Sequence, residues 1–170
     1  EREAQNARRG LPARILAKLN SLEDLEVTEH LYEASQSGVK IDLIVRGFCC
    51  LRPGVPGLSD NIRVQSVVGR FLEHSRIFHF SAGQEDPIEG DWYIGSADWM
   101  YRNLNTRVEA AVPVRDIAAR QRLLRILEVA KRDQRHAWDL QADGTYTQRQ
   151  PPPDAELDSP EVVGTFGTLM

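Results

Sequence analysis

Val39-Lys40-Ile41-Asp42-Leu43-Ile44-Val45 is the clearest strand in the chain, and Arg46-Gly47 stands at its carboxyl end. Gly38, just before it, is a natural stop for a helix. Residues 22–37 read as that helix, capped by Asn20-Ser21, with Leu22, Leu25, Leu31, Tyr32 and Ala34 available to the core and acids in the first turns. Residues 13–19 read as an earlier strand, although their composition also allows helix. Strand, helix, strand over this length marks a βαβ unit with parallel strands. Ligands of such sheets bind beyond the carboxyl ends of the strands. Arg46 therefore lies where an anion would lie, and Gly47 lets a ligand approach the backbone.

The rest of the chain arranges itself around this unit. Residues 1–9 are polar and helix-compatible, and Gly10-Leu11-Pro12 ends them. Residues 51–62 form a loop stiffened by Pro53 and Pro56 and shaped by Gly54 and Gly57. Residues 63–71 read as strand running into a turn, 76–80 as strand, 81–91 as a surface turn, and 92–94 and 106–114 as strands. Residues 115–134 form a long amphipathic helix with Ile117, Leu123, Leu124, Ile126, Leu127 and Ala130 inward. From Gln141 the chain turns polar and proline-rich. The domain is expected over residues 1–140, with 141–170 an extended or mobile tail. The fold class expected is α/β, a mixed sheet flanked by helices.

Composition limits the function classes. A chain of 170 residues suits one domain with a real core. Its 21 basic and 25 acidic residues give a net charge of −4, which argues against coating nucleic acid by bulk charge. Any anion site must be local, built from a few placed arginines. The 2 cysteines, Cys49 and Cys50, are adjacent and sit in no zinc pattern, so a reducing, cytoplasmic setting is expected. No apolar run approaches the ~20 residues of a membrane helix, and no signal sequence opens the chain. The first residue is Glu1 rather than Met, and the chain reads as a piece of a longer protein.

Two short stretches carry chemistry. Glu73-His74-Ser75-Arg76 opens one strand, and side chains two apart on a strand share a face. An imidazole beside a fixed cation suits a phosphate. Tyr93-Ile94-Gly95-Ser96-Ala97-Asp98-Trp99 ends another strand in a small-residue turn with a hydroxyl and a carboxylate. Arg46, His74, Arg76, Ser96, Asp98, Arg102 and Arg107 all fall at strand ends or in the turns beyond them. Arg76 could hold phosphate or pair with Asp98, and Arg107 could hold phosphate or pair with Glu109. Lys18 and Asn20 could face the same cleft from the end of the first strand. His30 and His136 read as surface residues and His79 as strand surface or core. The basic residues of the long helix read as a solvated face.

Val45-Arg46-Gly47, Cys50-Leu51-Arg52-Pro53-Gly54, Ser59-Asp60-Asn61-Ile62-Arg63, Phe71-Leu72-Glu73-His74-Ser75-Arg76 and Tyr93-Ile94-Gly95-Ser96-Ala97-Asp98-Trp99-Met100 together resemble the C-terminal catalytic domain of bacterial polyphosphate kinase, the type built on the phospholipase D fold. Arg102-Asn103 and Arg107-Val108-Glu109 continue the resemblance. It implies reversible transfer of the terminal phosphate of ATP onto inorganic polyphosphate through a phosphohistidine on a preceding domain. It implies ATP or ADP and polyphosphate as ligands, and magnesium held mainly through ATP and that preceding domain, with no metal ligand expected in this chain. The full-length enzyme is expected to be a homo-oligomer in the cytoplasm, with membrane association left open and no nucleic-acid partner. The family's second histidine falls on His74 and its ATP-holding strand-end arginine on Arg46. Arg107 is a further phosphate contact, and Arg76 and Ser96 are additional candidates. Unlike phospholipase D itself, the chain has His74-Ser75-Arg76 in place of His-x-Lys, with no aspartate at position 81, which is Ser81. The other functions weighed are a dimeric phospholipase-D-like phosphodiesterase or nuclease, and a polyphosphate- or nucleotide-binding module without catalysis.

Overall fold

The computed structural model describes residues 1–170. The elements run α1 (Arg2–Arg8), β1 (Arg14–Leu19), α2 (Leu25–Gln36), β2 (Lys40–Val45), β3 (Ile62–Val67), β4 (Ile77–Phe80), β5 (Asp91–Gly95), β6 (Ala111–Pro113), α3 (Ile117–Arg132), β7 (Ala137–Leu140), β8 (Tyr146–Gln148) and α4 (Pro160–Leu169). A 3-10 turn at Pro87–Glu89 precedes β5, and a π-helical turn at Arg102–Thr106 follows it. All eight strands join one sheet in the order β6-β5-β4-β1-β2-β3-β7-β8. β1, β2 and β3 are parallel, which fulfils the βαβ reading, and the flanking pairs are antiparallel.

Alternation along the central strands divides the core into two layers. Ala17 and Leu19 of β1 and Ile41, Leu43 and Val45 of β2 face Ala4 of α1 and Leu31 and Ala34 of α2. Leu16 and Ile44 point the other way, against Leu127 and Ala130 of α3 and Phe166 of α4. Lys18 lies two residues from Leu16 on that second face and is buried there, an unusual place for an ammonium group.

Caps set the phase of the helices more sharply than apolar spacing does. The Asp24 carboxylate accepts from the Val27 N–H at 3.0 Å and starts α2 there. The expected cap at Asn20-Ser21 is displaced because Leu22 instead bridges to Cys49 and Trp99. Asp116 caps α3 through the Ala119 N–H. Leu25 and Ile117, both expected to point inward, are the first residues after these caps and are exposed.

Two further expectations change. Of residues 106–114, only Ala111–Pro113 is strand, because the chain first makes the π-helical turn. The segment after Gln141, expected to be extended or mobile, is built into the fold. β8 pairs with β7 at the sheet edge. The Arg149 guanidinium grips Asp139 at 2.6 and 2.9 Å and also donates to the Lys131 carbonyl near the end of α3. α4 lies on α3, where the buried Asp133 carboxylate accepts from the Thr165 N–H at 2.6 Å and its hydroxyl at 2.7 Å. Polarity and proline content concealed these contacts, since the attachment uses hydrogen bonds and ion pairs. No helix is long and apolar enough to cross a membrane.

His79 is a core residue. Its ring packs on Trp92 with centroids 4.4 Å apart, and Nε2 donates to the Pro87 carbonyl at 3.0 Å. The same carbonyl accepts from the Trp92 indole at 2.8 Å. Gly90 permits this approach, since a Cβ there would lie 2.6 Å from the Phe80 carbonyl oxygen. Burial pushes the His79 pKa down from 6.5 to about 4, against the opposing contact with Pro87. The unfolded chain therefore binds the extra proton first. This contribution, roughly 3 kcal/mol, is complete above the unfolded value and is lost as pH falls toward the folded one. Urea unfolding midpoints should drop between pH 6.5 and 4. His79→Gln, which keeps a donor but does not titrate, should flatten that slope; an unchanged slope would exclude His79 as its source.

Candidate active site

The site grows from a buried carboxylate at the carboxyl end of β1. Asp98, in the turn after β5, accepts from the backbone N–H of Asn20 at 2.6 Å. The Arg76 guanidinium closes on the same group, Nε at 3.2 Å and Nη2 at 2.8 Å. This two-pronged contact fixes the plane as well as the position of the guanidinium. Burial alone would raise the Asp98 pKa, but Arg76 and the Asn20 N–H outweigh it and hold the carboxyl below its usual range. Of the two roles open to Arg76, the geometry realises the pairing with Asp98.

His74 sits in the irregular stretch between β3 and β4. Its ring is exposed while its backbone is held from several sides. Nη1 of Arg46 donates to the Glu73 carbonyl at 2.7 Å, and Nη1 of Arg76 donates to the His74 carbonyl at 2.9 Å. The Glu73 carboxylate accepts from the Ser75 N–H at 2.8 Å and forms an ion pair with Lys18. Two of the arginines expected from the sequence, Arg46 and Arg76, thus converge on the His74 segment through its backbone. Burial, followed by the charges of Arg46 and Arg76, pushes the Lys18 ammonium down to about 8, against the opposing charge of Asp98.

Asn20 faces the same group. In one amide orientation its nitrogen lies 3.4 Å from Nδ1 of His74 and 3.3 Å from Asp98. In the other its oxygen accepts from Arg76 at 2.8 and 3.2 Å while its nitrogen donates to the Glu73 carbonyl at 3.2 Å. The second satisfies both ends of the amide and suits a side chain this buried. Gly47 is needed beside it: its N–H donates to the Asn20 carbonyl at 2.8 Å, where a Cβ would come within 3.2 Å.

Ser96 and Arg107 belong to an adjoining cluster. The Ser96 hydroxyl donates to Glu109 and accepts from the Ala110 N–H at 3.0 Å. Asn103 also donates to Glu109, and both contacts lower the Glu109 pKa. The Arg107 guanidinium stands 3.9 Å from Glu109 and is 55% exposed, so most of its donors face solvent. Arg102 lies exposed in the π-helical turn. The residue the sequence reading missed is Glu73. Its signal was its place beside His74, but nothing in the sequence announces a lysine in β1, with three elements between, as its partner.

A family model described as "Polyphosphate kinase C-terminal domain 2" matches residues 1–159. The chain belongs to this polyphosphate kinase family. It is 60% identical over 170 residues to a polyphosphate kinase of Thermosynechococcus vestitus, covering 99% of the chain and 22% of that protein. It is 55% identical over 165 residues to the Synechocystis enzyme of that name, covering 97% of the chain and 22% of that protein. The chain therefore spans about a fifth of the length of these relatives. The crystal structure of the polyphosphate kinase from Porphyromonas gingivalis superposes with a TM-score of 0.84 at 42% identity, covering 91% of this chain and 23% of that one. A phospholipase D family member, Nuc from Salmonella typhimurium, aligns with a TM-score of 0.55 at 12% identity over 81% of this chain and 88% of its own. That likeness places the polyphosphate kinase domain in the phospholipase-D-like fold.

In this polyphosphate kinase domain Asp98 carries a definite energetic expectation. Asp98→Asn removes the charge opposite the largely buried Arg76 guanidinium and should cost about 3 kcal/mol in urea unfolding. A loss within experimental error of zero would show that the pair does not hold the strand ends together.

Proposed function

We propose that this chain is the C-terminal catalytic half of an ATP:polyphosphate phosphotransferase. In this reading the bond from the terminal phosphorus of ATP to the β-phosphate oxygen breaks. A phosphorus–nitrogen bond forms to a histidine on a preceding domain of the parent chain. That bond then breaks as a terminal oxygen of polyphosphate attacks, and every step is reversible. The family membership and the naming of its relatives support the activity. The gathering of His74, Arg46 and Arg76 at the carboxyl ends of parallel strands, where such sheets bind ligands, supports this half of the site.

The side chains divide into two groups. Arg46 and Arg107 present guanidinium donors for oxygens that carry spread negative charge in phosphoryl transfer. His74, exposed on a segment fastened through its backbone, offers a proton or hydrogen bond to the departing β-phosphate. Arg76 is occupied by Asp98, so its proposed part is to fix His74 through the His74 carbonyl. Ser96 gives its proton to Glu109, so its proposed part is to order the Arg107 cluster.

Magnesium is expected for the family. A bound magnesium–nucleotide would supply charge neutralisation at the phosphates. This chain's own residues do not fit a resident divalent cation. Glu73 is committed to Lys18, Asp98 to Arg76 and Asn20, and Glu109 to Ser96 and Asn103, and no group of three metal-ligating side chains forms. The proposal places the metal on ATP and the preceding domain.

In the full-length parent enzyme His74→Ala should lower polymer synthesis from ATP about a hundredfold or more, with the unfolding temperature unchanged. Near-normal turnover would remove His74 from the reacting site, and a parent enzyme that makes no polyphosphate from ATP would end the reading. Arg107→Ala should raise KM for ATP severalfold with little effect on stability, because only one long contact to Glu109 is lost. An unchanged KM would remove Arg107 from the phosphate site.

A further inference from the structure

α4 lies beyond the residues that the family model matches, and the sequence suggested a mobile tail, yet it reaches the segment that carries His74. The helix breaks at Gly164, where φ is +80° and a Cβ would lie 2.3 Å from the His136 ring. The break turns Thr165 onto Asp133 and Phe166 toward the sheet. Asp133 is wholly buried and binds Thr165 through both backbone and hydroxyl. Outside the kink, Arg132 holds Glu161 at 2.8 and 3.1 Å. The position of Phe166 is therefore set by α3.

The Phe166 ring has three neighbours that matter. It lies against Gly69 so closely that a Cβ there would fall 2.2 Å from a ring carbon. It packs on Phe71 with centroids 6.1 Å apart and on His136 at 5.7 Å. Its edge and Thr165 also line a cavity of about 20 Å³ bounded by Lys18, Arg46 and Glu73, so α4 closes the buried ion pair from below. The His74 segment is thereby held at both ends. Residues 73–76 are fastened by Lys18, Arg46 and Arg76. At the near end the His136 carbonyl takes the Val68 N–H at 3.1 Å, and Phe166 holds Gly69 and Phe71.

We infer that Phe166 of the C-terminal helix is a positioning residue for His74, which it acts on by clamping the segment between β3 and β4. The inference deepens the phosphotransferase reading and rests on it. A nine-residue connection without regular structure (residues 68–76) cannot present an imidazole in one place through its far tethers alone. Displacement of a reacting group by an ångström costs rate more than binding.

The test uses the full-length parent enzyme carrying Phe166→Ala, the milder Phe166→Leu, Gly69→Ala, and the Gly69→Ala/Phe166→Ala double variant. Hydrogen–deuterium exchange is read on peptides covering residues 68–76 and on peptides from β1 and β2. The inference expects Phe166→Ala to speed exchange in 68–76 while the strands stay protected. It also expects kcat per folded enzyme to fall about tenfold with KM for ATP within twofold of the parent. Gly69→Ala should be impaired by its clash with the ring, and the double variant, relieved of the clash but still without the clamp, should match Phe166→Ala. Phe166→Leu gives the same comparison if the alanine variant does not fold. Parent-like exchange and kcat in a folded Phe166 variant, or a double variant that falls well below Phe166→Ala, overturns the inference. The parent enzyme and His74→Ala in parallel separate the two claims: a parent that makes no polyphosphate from ATP defeats the phosphotransferase reading, whereas an inactive His74→Ala beside a normal Phe166 variant defeats only the clamp.

Discussion

The Asp98–Arg76 contact is the constraint on which the candidate site depends. One buried carboxylate joins three places distant in sequence: the end of β1 through the Asn20 N–H, the start of β4 through Arg76, and the turn after β5. A two-pronged guanidinium–carboxylate pair fixes direction as well as distance. Arg76 passes that order to the His74 carbonyl, and Arg46 adds a hold on Glu73 from the end of β2. A lone polar group at any of these strand ends would be costly where solvent is excluded; together they satisfy one another.

This arrangement separates support from reaction. Arg76, Asp98, Asn20, Lys18 and Glu73 are turned toward one another and leave few free donors. His74 and Arg107 are exposed, and Arg46 is half-buried. The proposed reactive surface is thus small and stands on a densely hydrogen-bonded base, which suits chemistry that depends on positioning and charge neutralisation. The Lys18–Glu73 pair, with its ammonium buried and its carboxylate partly exposed, is covered on one side by the C-terminal helix.

The central fold was legible because its signals are local. The strand at Val39–Val45, the stop at Gly38 and the helix before it gave the parallel βαβ unit, and the strand-end rule located Arg46. The resemblance identified the family and singled out His74 as the candidate. Phase and tertiary contacts were less legible. Leu25 and Ile117 looked inward by spacing, but aspartate caps placed them on the first exposed turn. α4 was hidden because its attachment rests on a buried aspartate and one phenylalanine rather than a long apolar stripe. Glu73 could be seen beside His74, whereas its pairing with Lys18 exists only once the segment folds over the sheet. Arg76 and Ser96 were chemically apt phosphate donors whose protons the fold had already committed to Asp98 and Glu109.

The most direct measurement is a structure of the full-length parent enzyme with a non-hydrolysable ATP analogue. The account predicts the His74 ring and the Arg46 guanidinium within hydrogen-bond reach of the β- and γ-phosphate oxygens, with Arg76 still closed on Asp98. Phosphates bound away from the carboxyl ends of β1 and β2, or Arg76 released from Asp98 to hold them, would contradict it.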